Sequence, residues 1–95
     1  MNVKQTKKCI VGGAGLSGLS AAYRLSQKGW QVRVLESTDR VGGRVQSHQK
    51  GGYIIDTGAS AMATSYTAYH ALAKELGLGT EIVNVSEYVG IARDG

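Results

Sequence analysis

A chain of 95 residues with 42% hydrophobic and 19% charged side chains has the composition of at most one globular domain. The net charge is +4, but apart from Lys4, Lys7 and Lys8 the basic residues are scattered, without the interleaved aromatic residues of a nucleic-acid-binding surface, so no nucleic-acid partner is predicted. No apolar run reaches the roughly 18 residues of a membrane span, and the polar start MNVKQTKK is unlike a signal peptide. These features predict a cytoplasmic protein.

The residue types that form disulfides or bind metals give no sign of a site. Cys9 is the single cysteine and lies in the apolar run CIVG, so we expect it to be a small buried residue. His48 and His70 have no cysteine or acidic partner at metal-ligand spacing, which predicts surface or packing roles for both and no metal site.

The first third of the chain has the order strand, helix, strand. KCIVG, residues Lys8–Gly12, is a short β-branched run that predicts the first strand. Helical spacing follows over Ala14–Lys28 and is ended by Gly29. The alternation in WQVRVLE predicts a second strand over Trp30–Glu36.

The remaining elements are shorter. A glycine-rich loop, STDRVGGRVQSHQKGG, precedes the extended piece YIID, and Ser65–Leu76 predicts a second helix that is ended by Gly77. Its apolar stripe is interpreted as a core face formed by Tyr66, Tyr69, Leu72, Ala73 and Leu76. EIVNV and VGIARDG resemble further strands, and the pair Asp94 and Gly95 resembles the start of a hairpin turn. Because a domain rarely ends within a turn, we expect the chain to be the N-terminal part of something longer.

The segment GAGLSG after the first strand matches G-x-G-x-x-G. Gly13 permits the tight turn from strand to helix, Gly15 lets a pyrophosphate approach the backbone, and Gly18 lets the helix pack closely on the strand. One face of this helix is formed by Gly15, Gly18, Ala22 and Leu25. The N-terminus of the helix offers N–H groups to phosphate.

Glu36 stands at the end of the second strand, 36 − 13 = 23 positions after the first glycine of the motif. This is near the offset of roughly 20 residues at which a carboxylate accepts hydrogen bonds from an adenosine ribose. A carboxylate there also repels a 2′-phosphate, which argues against NADP. Strand, glycines, helix and spacing together predict a dinucleotide phosphate site.

A second motif, Arg40-Val41-Gly42-Gly43-Arg44, follows this glutamate. With it, the chain resembles the N-terminal FAD-binding segment of the flavin-containing amine oxidase superfamily, which includes monoamine and polyamine oxidases, protoporphyrinogen oxidase and phytoene desaturases. The resemblance implies that R-x-G-G-R helps to enclose the FAD diphosphate and that the turn after Asp56 approaches the flavin. Arg44 is the preferred phosphate contact, since arginine forms fork-like phosphate contacts, whereas Arg40 is also typical of a solvated loop residue.

The resemblance extends over most of 8–78, including the helix segment AYHALAKELGL, and implies a set of cofactor-binding residues. These are Gly13, Gly15, Leu16, Ser17, Gly18, Glu36, Ser37, Arg40, Gly42, Gly43, Arg44, Gly58, Ala59 and Ser60. The turn DTGASAMAT departs from the Gly-Gly-Ser or aromatic residue that amine oxidases often carry near the flavin, which leaves desaturase-like and protoporphyrinogen-oxidase-like relatives open.

The expected fold is α/β: a Rossmann-like FAD-binding domain with a parallel sheet, of which residues 1–95 are the N-terminal portion within a larger two-domain flavoprotein. The substrate domain and the C-terminal FAD-binding segment lie outside this chain, so no catalytic residue is predicted. The expected function is oxidation of a small-molecule substrate by hydride transfer to FAD, with the chain alone inactive. Alternatives are a non-catalytic nucleotide-binding module and a fragment of an NAD-dependent oxidoreductase, although NAD dehydrogenases do not characteristically carry the second motif.

Overall fold

The computed structural model describes residues 5–86, 88 and 90–94. Two helices, four strands and one short 3-10 helix follow in the order β1 Lys8–Gly12, α1 Leu16–Gln27, β2 Gln31–Leu35, β3 Ser47–Lys50, β4 Tyr53–Asp56, α2 Thr67–Glu75 and the 3-10 helix Gly79–Glu81. The chain divides after Ala61 into two compact units, and each is described by itself.

The first unit begins with a parallel β1-α1-β2 arrangement. The two strands pair in register from Lys8 beside Gln31 to Gly12 beside Leu35. Helix α1 packs on both strands, and alternate strand residues are half-buried while their neighbours are exposed. The predicted Rossmann-like start with a parallel sheet is therefore confirmed. Cys9, expected to be buried, is only half-buried, because in the described residues one helix covers these two strands.

Helix α1 is shorter at both ends than the predicted 14–28. Gly15 is its N-cap in an extended conformation, because Ala14 is engaged in loop contacts described below. At the other end Gly29 takes φ 84°, where glycine is favoured, and donates to the carbonyl oxygen of Ser26 at 3.0 Å. The predicted helical face, small at its N-terminal end and larger farther on, is half-buried along its whole length, at Gly15, Gly18, Ala22 and Leu25.

An antiparallel hairpin, β3-β4, replaces part of the predicted loop. YIID forms β4 as expected, but it pairs with Ser47–Lys50, a segment that the sequence placed within the glycine-rich loop. The turn is made by Gly51 and Gly52 with φ 58° and 81°, the positive values that two-residue hairpin turns require. Every residue of both strands is exposed. The sequence of β3, SHQK, is polar throughout, so it has no apolar alternation from which the strand could have been predicted.

The second unit contains α2, which lies within the predicted 65–76 and ends before Gly77 at φ 79°. Its predicted core face is only partly confirmed. Ala73 is buried and Tyr69 and Leu72 are half-buried, whereas Tyr66 is 55% and Leu76 50% exposed. The reason is that, within the described residues, the short 3-10 helix is the one element of this unit that packs on α2.

The two strands predicted at the C-terminal end are not found in the described residues. Glu81 closes the 3-10 helix, and residues 82–86, 88 and 90–94 have no regular structure. A strand needs a pairing partner, and none of the described residues pairs with this segment, where Val83 is 79% exposed. Two residues of the second predicted strand, Val89 and Gly95, lie outside the described residues. The predicted hairpin turn includes Gly95 and so lies outside them as well.

Candidate functional site

The first glycine loop crosses from β1 to α1 by a turn that Gly13 makes possible. Gly13 takes φ 95° and donates its N–H to the carbonyl oxygen of Leu35, at the end of β2, at 2.7 Å. At Gly18, within the first turn of α1, an added Cβ would overlap the carbonyl oxygen of Gly13. The turn and the close helix packing predicted for these two glycines are both present.

Gly15 differs from Gly18, because a Cβ built at Gly15 meets nothing within 4 Å. Gly15 is also the N-cap of α1, where no side chain of the described residues forms a capping hydrogen bond and the first turn carries no acidic residue. Leu16 and Ser17 form the exposed start of the helix. This end of α1 therefore presents open space and a positive dipole end, as an approaching phosphate requires.

The Glu36 carboxylate is bound from two sides. Oε1 accepts the N–H of Ala14 at 2.9 Å, and Oε2 accepts both the N–H and the hydroxyl of Thr38, each at 2.8 Å. The hydrogen bond from Ala14, followed by those from Thr38, lowers the pKa of Glu36 from 4.5 to about 2. The carboxylate is thus ionised, and a hydrogen-bond acceptor, throughout the neutral and mildly acidic range.

The second glycine loop lies directly against the first. Gly42 donates its N–H to the carbonyl oxygen of Ala14 at 2.8 Å, and the pair Gly15 and Gly42 forms an isolated parallel bridge. Gly42 and Gly43 take φ 112° and 59°, and a Cβ at Gly43 would lie 3.3 Å from the Cα of Gly15. Glycine is needed at these positions both for the left-handed backbone and for the close approach of the two loops.

Ala14 is where the three segments meet. Its N–H donates to Glu36, its carbonyl oxygen accepts from Gly42, and it is 1% exposed. Ala14 could not be identified from the sequence, because an alanine at an unspecified motif position has no chemistry of its own. Thr38 was also missed, although a threonine two residues after a carboxylate can form this local type of hydrogen bond.

The two arginines of the second motif differ in their surroundings. Nη2 of Arg40 donates to the carbonyl oxygen of Gly43 at 2.6 Å and to Oε1 of Gln46 at 3.1 Å, while Nη1 donates to the carbonyl oxygen of Val41 at 3.2 Å. The exposed guanidinium of Arg40 therefore binds its own loop, and its contact with the cofactor stays a prediction. Arg44 is exposed, and its guanidinium has no hydrogen-bond partner among the described residues.

The turn that follows Asp56 lies beside the second loop. Ala59 donates its N–H to the carbonyl oxygen of Arg44 at 2.9 Å, and Gly58 donates to that of Gln46 at 3.3 Å. A Cβ at Gly58 would overlap the Arg44 carbonyl oxygen. Gly58 and Ala59 are thus brought to the same region as the glycine loops. Ser37 and Ser60 are exposed, and within the described residues their side chains make no hydrogen bond.

A separate cleft of about 290 Å³ lies along the sheet, lined by Lys8, Cys9, Ile10, Gln31, Val32 and Arg33. These residues belong to the amino-terminal parts of β1 and β2. Ligands of open α/β sheets bind beyond the carboxyl ends of the strands, where the glycine loops lie, so this cleft is not the candidate site.

The described part of the chain has neither a metal-binding cluster nor a membrane-spanning helix. It contains no group of three or more His, Cys, Asp or Glu residues that could hold a metal ion. His70 Nε2 lies 3.0 Å from the carbonyl oxygen of Ala63, and His48 is exposed on β3. No helix in the described part of the chain is long and apolar enough to cross a membrane.

Comparison with known proteins places this arrangement in a family. The family model described as flavin containing amine oxidoreductase matches residues 16–92. A possible lysine-specific histone demethylase 1 of Drosophila melanogaster is 45% identical over 76 residues, which are 79% of this chain and 8% of that protein. The chloroplastic/mitochondrial protoporphyrinogen oxidase 2 of Arabidopsis thaliana is 43% identical over 72 residues, which are 76% of this chain and 14% of that protein.

A solved structure gives the same result. Wild-type putrescine oxidase bound to putrescine superposes with a TM-score of 0.67 at 39% identity, over 78% of this chain and 16% of that chain. The chain thus spans less than a fifth of the length of each of these relatives. The glycine loops, the ionised Glu36 and these similarities agree: the chain belongs to the flavin containing amine oxidoreductase family, whose cofactor is FAD, as its motifs predicted.

Proposed function

We propose that residues 1–95 form the N-terminal part of the FAD-binding domain of a flavin-dependent oxidoreductase and bind the ADP half of FAD. The bound flavin supplies the redox chemistry, accepting a hydride from the substrate, while the protein supplies position and electrostatics. The relatives are several times longer than this chain, which supports a substrate domain and a C-terminal FAD-binding segment outside it.

The observation that carries this proposal is the convergence of the motifs on Ala14. A ribose-binding carboxylate and a diphosphate-binding loop must lie at fixed positions relative to each other. Here Glu36 binds the N–H of Ala14 and Gly42 binds its carbonyl oxygen, so a single peptide segment holds both. The two motifs therefore act as one site.

The residues present fit a diphosphate and a ribose. The space at Gly15, the uncapped start of α1 and the exposed guanidinium of Arg44 offer an approach and positive charge for the diphosphate. The backbone at Gly42 and Gly43 has the positive φ values found in anion-binding concavities, and because the N–H of Gly42 is used by Ala14, the N–H of Gly43 is the one that would face the diphosphate. The ionised carboxylate of Glu36 suits ribose hydroxyls and disfavours a 2′-phosphate.

The substrate is expected to be a small molecule chosen by parts of the protein outside this chain. The relatives are named for different substrates, since they include a histone demethylase, a protoporphyrinogen oxidase and a putrescine oxidase, although all share this segment. This chain by itself is therefore expected to have no oxidase activity. The cytoplasmic location and the lack of a nucleic-acid partner stay predictions from the sequence.

A valine at Gly15 tests the proposal. Because Gly15 has negative φ and a Cβ there meets nothing within 4 Å, we expect Gly15→Val to keep the fold while it places a side chain where the diphosphate approaches. We expect the variant, in the protein expressed from the complete reading frame, to lose FAD affinity by roughly a hundredfold, measured by titration of the apoprotein with FAD.

The matched control is Gly90→Val, since a Cβ at Gly90 also meets nothing within 4 Å. We expect Gly90→Val to bind FAD like the wild type and both variants to keep the wild-type circular dichroism. Wild-type FAD affinity in a folded Gly15→Val protein would contradict the proposed diphosphate position.

A further inference from the structure

The Glu36 carboxylate is contacted unequally at its two oxygens. An ionised carboxylate has about four acceptor positions, two on each oxygen. In this structure Oε1 uses one of them, for the N–H of Ala14, and Oε2 uses two, for the N–H and the hydroxyl of Thr38. The free acceptor position therefore lies on Oε1.

Thr38 supplies two of these three contacts, and its hydroxyl has a second acceptor within reach. The carbonyl oxygen of Arg40 lies 2.9 Å from Oγ1 of Thr38, nearly as close as Oε2 of Glu36 at 2.8 Å. A hydroxyl has one hydrogen to donate, so it serves one of the two acceptors at a time. When it turns to Arg40, a position on Oε2 becomes free and no heavy atom needs to move.

The same residue connects the ribose carboxylate to the second glycine loop. While its hydroxyl donates to Glu36, Oγ1 of Thr38 accepts the N–H of Arg40 at 3.5 Å, and the Arg40 guanidinium in turn binds the carbonyl oxygens of Val41 and Gly43. The orientation of Glu36 is thus fixed from the loop that carries the proposed diphosphate contacts.

We infer that Thr38 is a positioning residue for cofactor binding, whose side-chain hydroxyl holds the Glu36 carboxylate in the orientation that accepts the hydroxyl groups of the adenosine ribose. This inference rests on the proposed function and deepens it, since it assigns a role in ribose recognition to a residue outside the two motifs. Thr38 itself donates no hydrogen bond to the cofactor and acts through Glu36.

The test compares two ligands on the apoprotein expressed from the complete reading frame. ADP carries both ribose hydroxyls and 2′,3′-dideoxy-ADP carries neither, so the ratio of their dissociation constants, measured by calorimetry, reports the ribose contacts alone. Hydrogen bonds to a charged group predict a preference for ADP of roughly tenfold or more in the wild type. A loss of general stability would weaken both ligands and leave the ratio unchanged.

We expect Thr38→Val, which keeps the shape and the backbone N–H but removes the hydroxyl, to reduce the preference to about a third of the wild-type value or less. Thr38→Ser restores the hydroxyl and should restore the preference. Thr80→Val, the same change at an exposed threonine of the 3-10 helix, should leave it unchanged.

The outcomes separate the two proposals. If the wild type and Thr38→Val prefer ADP to the same extent, or the variant prefers it more, the role of Thr38 is wrong while ribose recognition stands. If the wild type binds the two ligands equally, Glu36 does not recognise the ribose and both proposals fail at this point. If Glu36→Gln loses the wild-type preference and Thr38→Val loses most of it, the inference is supported.

Discussion

Glu36 is the residue whose charge matters most to the described site, and its ionisation should be visible in stability. Its pKa is lowered from 4.5 to about 2 in the folded chain, so the folded state favours the ionised form and gains stability at pH values above 4.5. This gain is lost as the pH falls from about 4.5 towards about 2, where the carboxylate becomes protonated in both states.

We therefore expect the free energy of unfolding of the wild type to exceed that of Glu36→Gln by a constant amount above about pH 5, and the difference to shrink as the pH is lowered. Urea unfolding of both proteins between about pH 6 and pH 3 measures it. A difference that stays constant over this whole range would show that the carboxylate is not held by Ala14 and Thr38 as described.

The two arginines of the second motif should respond differently to substitution. Arg44→Ala removes a side chain with no hydrogen-bond partner in the described residues, so we expect unchanged stability and roughly tenfold weaker FAD binding. Arg40→Ala removes contacts to Val41, Gly43 and Gln46, so we expect a loss of about 1 kcal/mol in stability together with weaker FAD binding.

Thermal unfolding and FAD titration of both variants, with Arg33→Ala as the exposed arginine control, separate these effects. A stability loss in Arg44→Ala equal to that in Arg40→Ala would contradict the division of roles between the two side chains.

At the scale of single elements, the sequence predicted those that carry a strong local signal. The spacing of Gly13, Gly15 and Gly18 and the alternation before Glu36 reflect backbone geometry and strand pleating, and the β1-α1-β2 unit forms as expected. The exposed strand Ser47–Lys50 could not be predicted from periodicity, because polar residues on both faces carry no pattern. Its turn residues, Gly51 and Gly52, were the available signal.

The two predicted C-terminal strands are the opposite case, because they were predicted from the sequence but are not found in the described residues. EIVNV is rich in β-branched residues, but β propensity describes how a side chain fits a sheet and does not supply a pairing strand. Within the site, sequence reasoning found the glycines and Glu36 but not the contacts of Ala14, Thr38 and Arg40. Those contacts depend on two loops meeting, which no local pattern records.

At the scale of the whole molecule, the parallel sheet of the first unit has one exposed face in the described residues. Parallel sheets are normally covered on both faces, yet on the face away from α1 Ile10 is 66% and Leu35 53% exposed. In the described residues the buried hydrophobic side chains are Ala14 and Ala73. We therefore expect the rest of the full-length protein to cover this sheet, as the greater length of the relatives also suggests.

The most direct measurement is the visible absorbance spectrum of the protein expressed from the complete reading frame, with the released cofactor identified after denaturation. Our account predicts an oxidised flavin spectrum and FAD as the released compound. A colourless protein that takes up no added FAD but binds NAD would contradict the central claim that the two glycine loops and Glu36 form one FAD site.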